Sequence, residues 1–169
     1  RYWIPGNDEW YKAAYYDPGK YGSHKYWEFP TRSSNLPGLR DTAGDRAANY
    51  QPADSFAVGP PYYFADVQAY AASASFYGTV QQGGNAWEWL EDFRYTRDGI
   101  QCGLRGGSFG YTETGLHAGN EDLVSLGTRS YVFGLRMARA TTAEGWQEVR
   151  GSRWRRFAGK VLRRIERRI

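Results

Sequence analysis

Few side chains in this sequence could act as nucleophiles or soft metal ligands. The chain of 169 residues has one cysteine, Cys102, and two histidines, His24 and His117. A single cysteine excludes an internal disulfide and any metal site built from several thiolates. No base can be assigned to activate its thiol, so we interpret Cys102 as a small buried residue. The two histidines could join a carboxylate around iron, but they lie in different loops, and we do not expect such a site.

The charged and aromatic residues that could bind a ligand are also expected to be structural. The segment 83–92 begins with a turn and then alternates, which predicts a short strand with Trp87 and Trp89 on one face and Glu88 on the other. Large aromatic side chains are usually buried, so we expect both tryptophans in the core. Arg105 and Arg136 are expected to form buried ion pairs rather than to clamp a substrate.

The elements that would position these residues are short. Pro5 and Gly6 form a turn, Asn7 or Asp8 can cap a helix, and the helix would bury Trp10, Ala13 and Ala14, with Tyr11 as a further candidate. Residues 17–66 show no sustained periodicity, yet they are rich in aromatics, which indicates ordered coil. Further strands are predicted in the segments 104–109 and 131–138. The sequence therefore predicts an α+β fold, rich in coil, with short antiparallel strands.

The charge is divided unevenly along the chain. Residues 150–169 contain nine basic residues and one acid, a net charge of +8, whereas residues 1–149 have a net charge of −4. Apolar residues recur at helical spacing over 152–169, with nearly all the basic residues opposite, which predicts a basic amphipathic helix after a linker at 141–151. The residues expected to attach this helix to a membrane or a partner are Trp154, Phe157, Val161, Leu162, Ile165, Arg156, Lys160, Arg163, Arg164 and Arg167.

An ordered set of short motifs resembles the formylglycine-generating enzyme family, the sulfatase-modifying factors. The motifs include Glu9-Trp10, Ala48-Asn49-Tyr50, the Gly-Asn-Ala-Trp-Glu-Trp of 84–89, the Arg-Gly-Gly-Ser-Phe of 105–109 and the Gly-Leu-Arg-Met-Ala of 134–138. The resemblance covers about residues 1–140, which we take as one domain that lacks the N-terminal part of the family. It implies a C-type-lectin-like fold.

The resemblance also implies where catalysis would occur. Members that make formylglycine bind copper through a cysteine pair, and the matching positions here are Tyr111 and Leu116. Neither side chain is a thiolate, the ligand that copper(I) prefers. We therefore expect no formylglycine generation, and we identify no copper or iron site and no catalytic residue.

Calcium sites are the second feature that the resemblance implies. One ion would be held at the positions of Gln81, Gly84, Ala86 and Glu88, and a second would begin at Asn49 and Tyr50, with Asp54 or Asp66 as its carboxylate. Two other interpretations of Glu88 stay open, a surface carboxylate and an ion-pair partner of Arg105.

Two functional hypotheses remain. The first is a catalytically diverged binding or accessory module, or a subunit of a larger assembly, that contacts its ligand through the segment 110–130. The alternative is a metal- and oxygen-dependent modifying enzyme. A protein partner is expected and nucleic acid is not, because the body is acidic and shows no nucleic-acid-binding fold. The sequence does not indicate a compartment.

Overall fold

A computed structural model of the protein describes residues 2–39, 46–53 and 55–140, which fall into two compact units. The smaller unit is a two-stranded antiparallel ribbon of β1 (Tyr2–Trp3) and β6 (Ala138–Arg139), in which Trp3 lies opposite Ala138. The larger unit comprises residues 4–136 and contains the remaining elements, a mixture of one helix, one sheet and much irregular backbone.

The helix forms at the predicted place. Helix α1 spans Asn7–Tyr15. Its N-cap is Gly6, whereas Asn7 or Asp8 was predicted to cap the helix. The Glu9 carboxylate accepts a hydrogen bond from the Gly6 N–H at 3.0 Å, which satisfies a donor that the helix itself leaves free. The buried face consists of Trp10, Ala14 and Tyr15, which pack with Leu90 and Ala118.

The main sheet has four strands in the order β4-β3-β2-β5. Strands β2 (Trp87–Thr96) and β3 (Gly99–Arg105) form an antiparallel hairpin, and β4 (Asp122–Ser125) extends it next to β3. The predicted antiparallel pairing is confirmed for β2, β3 and β4, whereas β5 (Phe133–Gly134) at the other edge pairs with β2 in parallel. The predicted strand at 104–109 was too long, since β3 ends at Arg105 and the next two residues, both glycines, have positive φ.

Aromatic side chains hold the long irregular segment, as predicted. Phe29 and Tyr50 are buried in a second core cluster with Ala48 and Leu116. A further group surrounds Phe109, whose ring lies 5.5 Å from that of Tyr63 in a stacked arrangement. Phe56, Phe64 and Tyr131 also contact Phe109.

The predicted linker and basic helix at 141–169 lie outside the described residues. Their boundaries and the helix itself stay predictions. Within the described part of the chain, no helix is long and apolar enough to span a membrane.

Two distant parts of the chain meet at Gly84 without space for a side chain. Gly84 has a φ of +77°, and a Cβ atom there would lie 2.1 Å from the carbonyl oxygen of Asn49. The Asn85 N–H donates to the same oxygen at 2.7 Å, and the Gly84 N–H donates to Gly106 at 2.7 Å. Gly84 therefore allows two backbone segments to pair at a distance that any other residue would prevent.

We predict that Gly84→Ala lowers the free energy of unfolding by about 3 kcal/mol, since the new methyl group must displace backbone and not a flexible side chain. Gly127→Ala is the matched control, because an added Cβ there meets nothing within 4 Å. The control should change stability by less than about 0.5 kcal/mol in urea titrations followed by tryptophan fluorescence. Equal stability of the two variants would show that the contact at Gly84 does not restrict the fold.

Candidate functional site

Glu88, which the sequence left open as a calcium ligand, a surface carboxylate or a partner of Arg105, is the centre of a buried polar network. It is only 8% exposed. Its Oε1 accepts a hydrogen bond from Arg136 Nη2 at 2.7 Å, and its Oε2 accepts from Arg136 Nε at 3.0 Å and from Trp10 Nε1 at 2.6 Å. Arg136 also donates to the Val80 carbonyl at 2.9 Å. The bidentate pairing is the strong form of a guanidinium–carboxylate contact, and it compensates the charge of the buried carboxylate.

Arg105, which the sequence offered as a partner for Glu88, has other contacts. Its guanidinium donates to the carbonyl oxygens of Ala118 and Asn120, at 3.1 and 2.6 Å, and lies 5.0 Å from the centre of the Tyr11 ring. The prediction of an ion-pair role is confirmed for Arg136, which pairs with Glu88, and for the buried Arg105, whose Nη2 lies 3.9 Å from Glu121 Oε2. Arg105 also fixes main-chain carbonyls at residues 118 and 120.

The side chains at the first implied calcium site are engaged elsewhere. Both oxygens of Glu88 already accept N–H donors, and Gln81 directs its amide nitrogen at the carbonyls of Asp66 and Ala69. The Gly84 carbonyl accepts the Ala86 N–H at 2.9 Å. Calcium needs six to eight oxygen ligands. Because Arg136 already compensates the charge of Glu88, the residues as arranged fit the ion poorly, and calcium at this site stays a prediction.

The second implied calcium site offers few oxygens with free lone pairs. The Asn49 amide nitrogen donates to the Tyr63 carbonyl and to Asn85 Oδ1, each at 2.9 Å, while Asn49 Oδ1 is buried without a hydrogen-bond partner in the structure. The Tyr50 carbonyl accepts the Ala57 N–H at 3.3 Å, and Asp54 lies outside the described residues. No group of three or more His, Cys, Asp or Glu side chains that could hold a metal ion occurs within 2–39, 46–53 and 55–140.

The positions matched to the copper-binding cysteines have packing roles here. Leu116 is fully buried in the core, and the Tyr111 ring lies edge-on to Trp87 at 5.1 Å. The prediction that Cys102 is buried is confirmed, because it is 3% exposed on β3, and burial raises the pKa of its thiol. The core prediction is confirmed for Trp87, whereas Trp89 is half-buried against Phe133.

An open groove lies beside the segment 110–130, the predicted contact surface. Its volume is about 390 Å³, and it is lined by Phe29, Glu113, Thr114, His117, Gly119 and Asn120. The segment was predicted to be a loop, but it includes a short 3₁₀ helix at Glu113–Leu116 and strand β4. Of the residues that line the groove, Glu113 and Thr114 belong to the 3₁₀ helix.

Main-chain hydrogen bonds fix the walls of this groove. The Ala118 N–H donates to the Glu28 carbonyl at 2.8 Å, which joins the two sides. The hydroxyl of the buried Tyr15 donates to the Leu116 carbonyl at 3.0 Å. Sequence reasoning missed Phe29 and Glu28, because they lie in an aperiodic segment with no motif to mark them.

Two contacts orient the His117 ring. Its Nδ1 accepts the Gly119 N–H at 3.0 Å, and its Nε2 lies 4.0 Å from Glu28 Oε2. The ring is also edge-on to Phe29. His24 instead contacts Tyr26, so among the described residues the two histidines share no contact that would support an iron site.

We predict that Arg136→Met lowers the free energy of unfolding by about 3 kcal/mol, because it leaves the Glu88 carboxylate buried without its counter-charge. Arg94→Met is the control, since Arg94 pairs with Glu121 on the surface with its side chain 54% exposed, and it should cost less than about 1 kcal/mol. Adding Glu88→Gln to Arg136→Met should recover part of the loss. Urea unfolding measures these losses, and equal losses in the two arginine variants would contradict the role of Arg136. The same measurement on the wild type, with calcium and with chelator, tests the calcium site: stabilisation by calcium would contradict the poor fit of the residues to the ion.

Comparisons with solved structures show distant likeness. The crystal structure of CarF is 18% identical with a TM-score of 0.48, over 83% of this chain and 48% of that chain. Treponema denticola variable protein 1 is 20% identical with a TM-score of 0.46, over 80% of this chain and 46% of that chain. The chain thus spans about half the length of each. No curated protein sequence matches it significantly.

The family assignment rests on the sequence profile of the sulfatase-modifying factor enzyme 1-like domain, also called FGE-sulfatase, which matches residues 1–141. The match covers most of the chain and includes all the elements of the sheet, the helix and the groove. The chain therefore belongs to the sulfatase-modifying factor enzyme 1-like domain family.

Proposed function

We propose that this chain is a binding module on a C-type-lectin-like scaffold, whose contact surface is the segment 110–130. The observation that carries the proposal is that five residues of this segment line the groove. They are Glu113, Thr114, His117, Gly119 and Asn120. Ligand sites are typically concave and built on a fixed frame, and the hydrogen bonds behind this segment supply that frame.

The chemistry of the residues also favours binding over oxygen activation. Tyr111 and Leu116 stand where the resemblance places the copper thiolates, and Leu116 is fully buried in the core. The one thiol, Cys102, is buried on a strand, where its raised pKa keeps it protonated at neutral pH. These features support a member of the family that has kept the scaffold and diverged in activity.

The basic segment 152–169 would attach this module to a larger assembly. Its apolar residues at helical spacing and its net positive charge suit either a protein partner or an anionic membrane surface. We favour a protein partner, because an accessory module needs a fixed place in an assembly. Binding to a membrane is the alternative outcome of the test with the shortened chain.

We predict that Thr114→Trp, which places a large ring in the groove, weakens binding of peptides selected from a random display library on the wild-type protein by at least about tenfold. Thr114 is exposed, so the substitution should not disturb the core. Asp98→Asn, in the exposed turn between β2 and β3, is the matched control and should keep full affinity.

Three results would contradict the proposed function. The first is that no displayed peptide binds. The second is that Thr114→Trp binds the selected peptides as well as the wild type. The third is conversion of a sulfatase-type cysteine peptide to formylglycine with copper and oxygen, detected by mass spectrometry. Stoichiometric copper or iron in the purified protein would favour the enzyme instead.

We predict that a chain ending at residue 149 keeps its fold and its peptide binding but no longer associates with partner protein or vesicles. Circular dichroism checks the fold, and co-sedimentation with vesicles that contain anionic lipid separates a membrane role from a protein one. Unchanged association of the shortened chain, in complexes and on vesicles, would remove residues 150–169 from the attachment role.

A further inference from the structure

The groove carries negative charge without a positive side chain in its walls. Of its six lining residues, Glu113 is the one carboxylate, and none is a lysine or an arginine. Glu113 is half-buried in the first turn of the 3₁₀ helix. Burial raises the pKa of the Tyr50 hydroxyl, and the negative charge of Glu113 raises it further. The field of this carboxylate therefore extends into the protein at the base of the groove.

A second carboxylate lies at the rim. Glu28 precedes Phe29 and is largely exposed, with its Oε2 4.0 Å from His117 Nε2. Glu113 in the wall and Glu28 at the rim are thus two carboxylates at the groove, and no lysine or arginine is among its lining residues. The guanidinium of Arg105 contacts the Asn120 carbonyl, but it is buried and already engaged there.

The remaining wall offers apolar contact. Phe29 lines the groove with the small part of its side chain that is exposed, 6%, and its ring lies 5.7 Å from that of His117 at 84°. An apolar wall beside a carboxylate matches a side chain that has an alkyl stem and a cationic end.

We infer that the groove binds the lysine or arginine side chain of a protein partner, with the alkyl stem on Phe29 and the cationic end between Glu113 and Glu28. This inference rests on the proposed function and names its ligand class. Charge complementarity with a cationic side chain supports the inference in two ways. Glu113 and Glu28 are negative at the groove, and residues 1–149 as a whole have a net charge of −4.

The test uses three capped amino acids that differ in charge: acetyl-lysine N-methylamide, its neutral analogue acetyl-norleucine N-methylamide, and acetyl-glutamate N-methylamide. Each is titrated into the ¹⁵N-labelled full chain, and the backbone amides of Thr114, His117, Gly119 and Asn120 report on the groove. The lysine probe should shift these amides with an affinity in the millimolar range, about threefold or more tighter than the norleucine probe, and the glutamate probe should bind most weakly.

Glu113→Gln should remove the preference for lysine over norleucine, whereas Asp98→Asn should keep it, and raised salt should weaken lysine binding alone. Equal binding of lysine and norleucine at these amides would overturn the charge inference and leave the groove as a binding site. Shifts that fall elsewhere, or none up to about 10 mM, would overturn the inference outright. The binding of display-selected peptides to the wild type and to Thr114→Trp tests the proposed function independently of these charge effects.

Discussion

The larger unit depends on the buried carboxylate of Glu88 and the three N–H donors that surround it. Glu88 lies at the start of the longest strand, and its partners come from the helix, through Trp10, and from the end of the unit, through Arg136. A buried carboxylate is unfavourable unless it is paired and hydrogen-bonded, so these parts of the chain must meet together for any of them to be stable there. The guanidinium of Arg136 thereby does a structural task that a bound cation does in other coil-rich proteins.

The groove is a consequence of the same close packing. Leu116 is in the core beneath it, Tyr15 of the helix binds its main chain, and Arg105 binds the carbonyls that follow. Where the family resemblance leads one to expect thiolates, this chain has a buried leucine and a tyrosine against Trp87. The core thus reaches the base of the segment 110–120, while the surface of that segment is open.

The sequence predicted what depends on local pattern. The helix at Asn7–Tyr15 follows from its turn, its acidic first turn and its apolar spacing, and the strand at Trp87 follows from alternation. The pairing of Glu88 with Arg136 could not be predicted from local pattern, because the two residues are 48 positions apart. Arg105 was an equally charged candidate, and it lies directly opposite Glu88 in the hairpin. Phe29 reaches the groove from an aperiodic segment, so only the tertiary contacts reveal it. The family motifs supplied the long-range order that periodicity could not.

The bonds that shape the segment 110–120 have a further consequence for how this surface could change. Tyr111, Leu116, Ala118 and Asn120 are held through their main-chain atoms, by Gln51, Tyr15, Glu28 and Arg105. Main-chain atoms are the same whichever side chain a residue has. Exposed positions such as Thr112 and Thr114 can therefore be exchanged while the backbone keeps its course. The residues that hold the backbone are thus separate from the side chains that this surface exposes, so that the chemistry of the surface can change by substitution alone, without insertion or refolding.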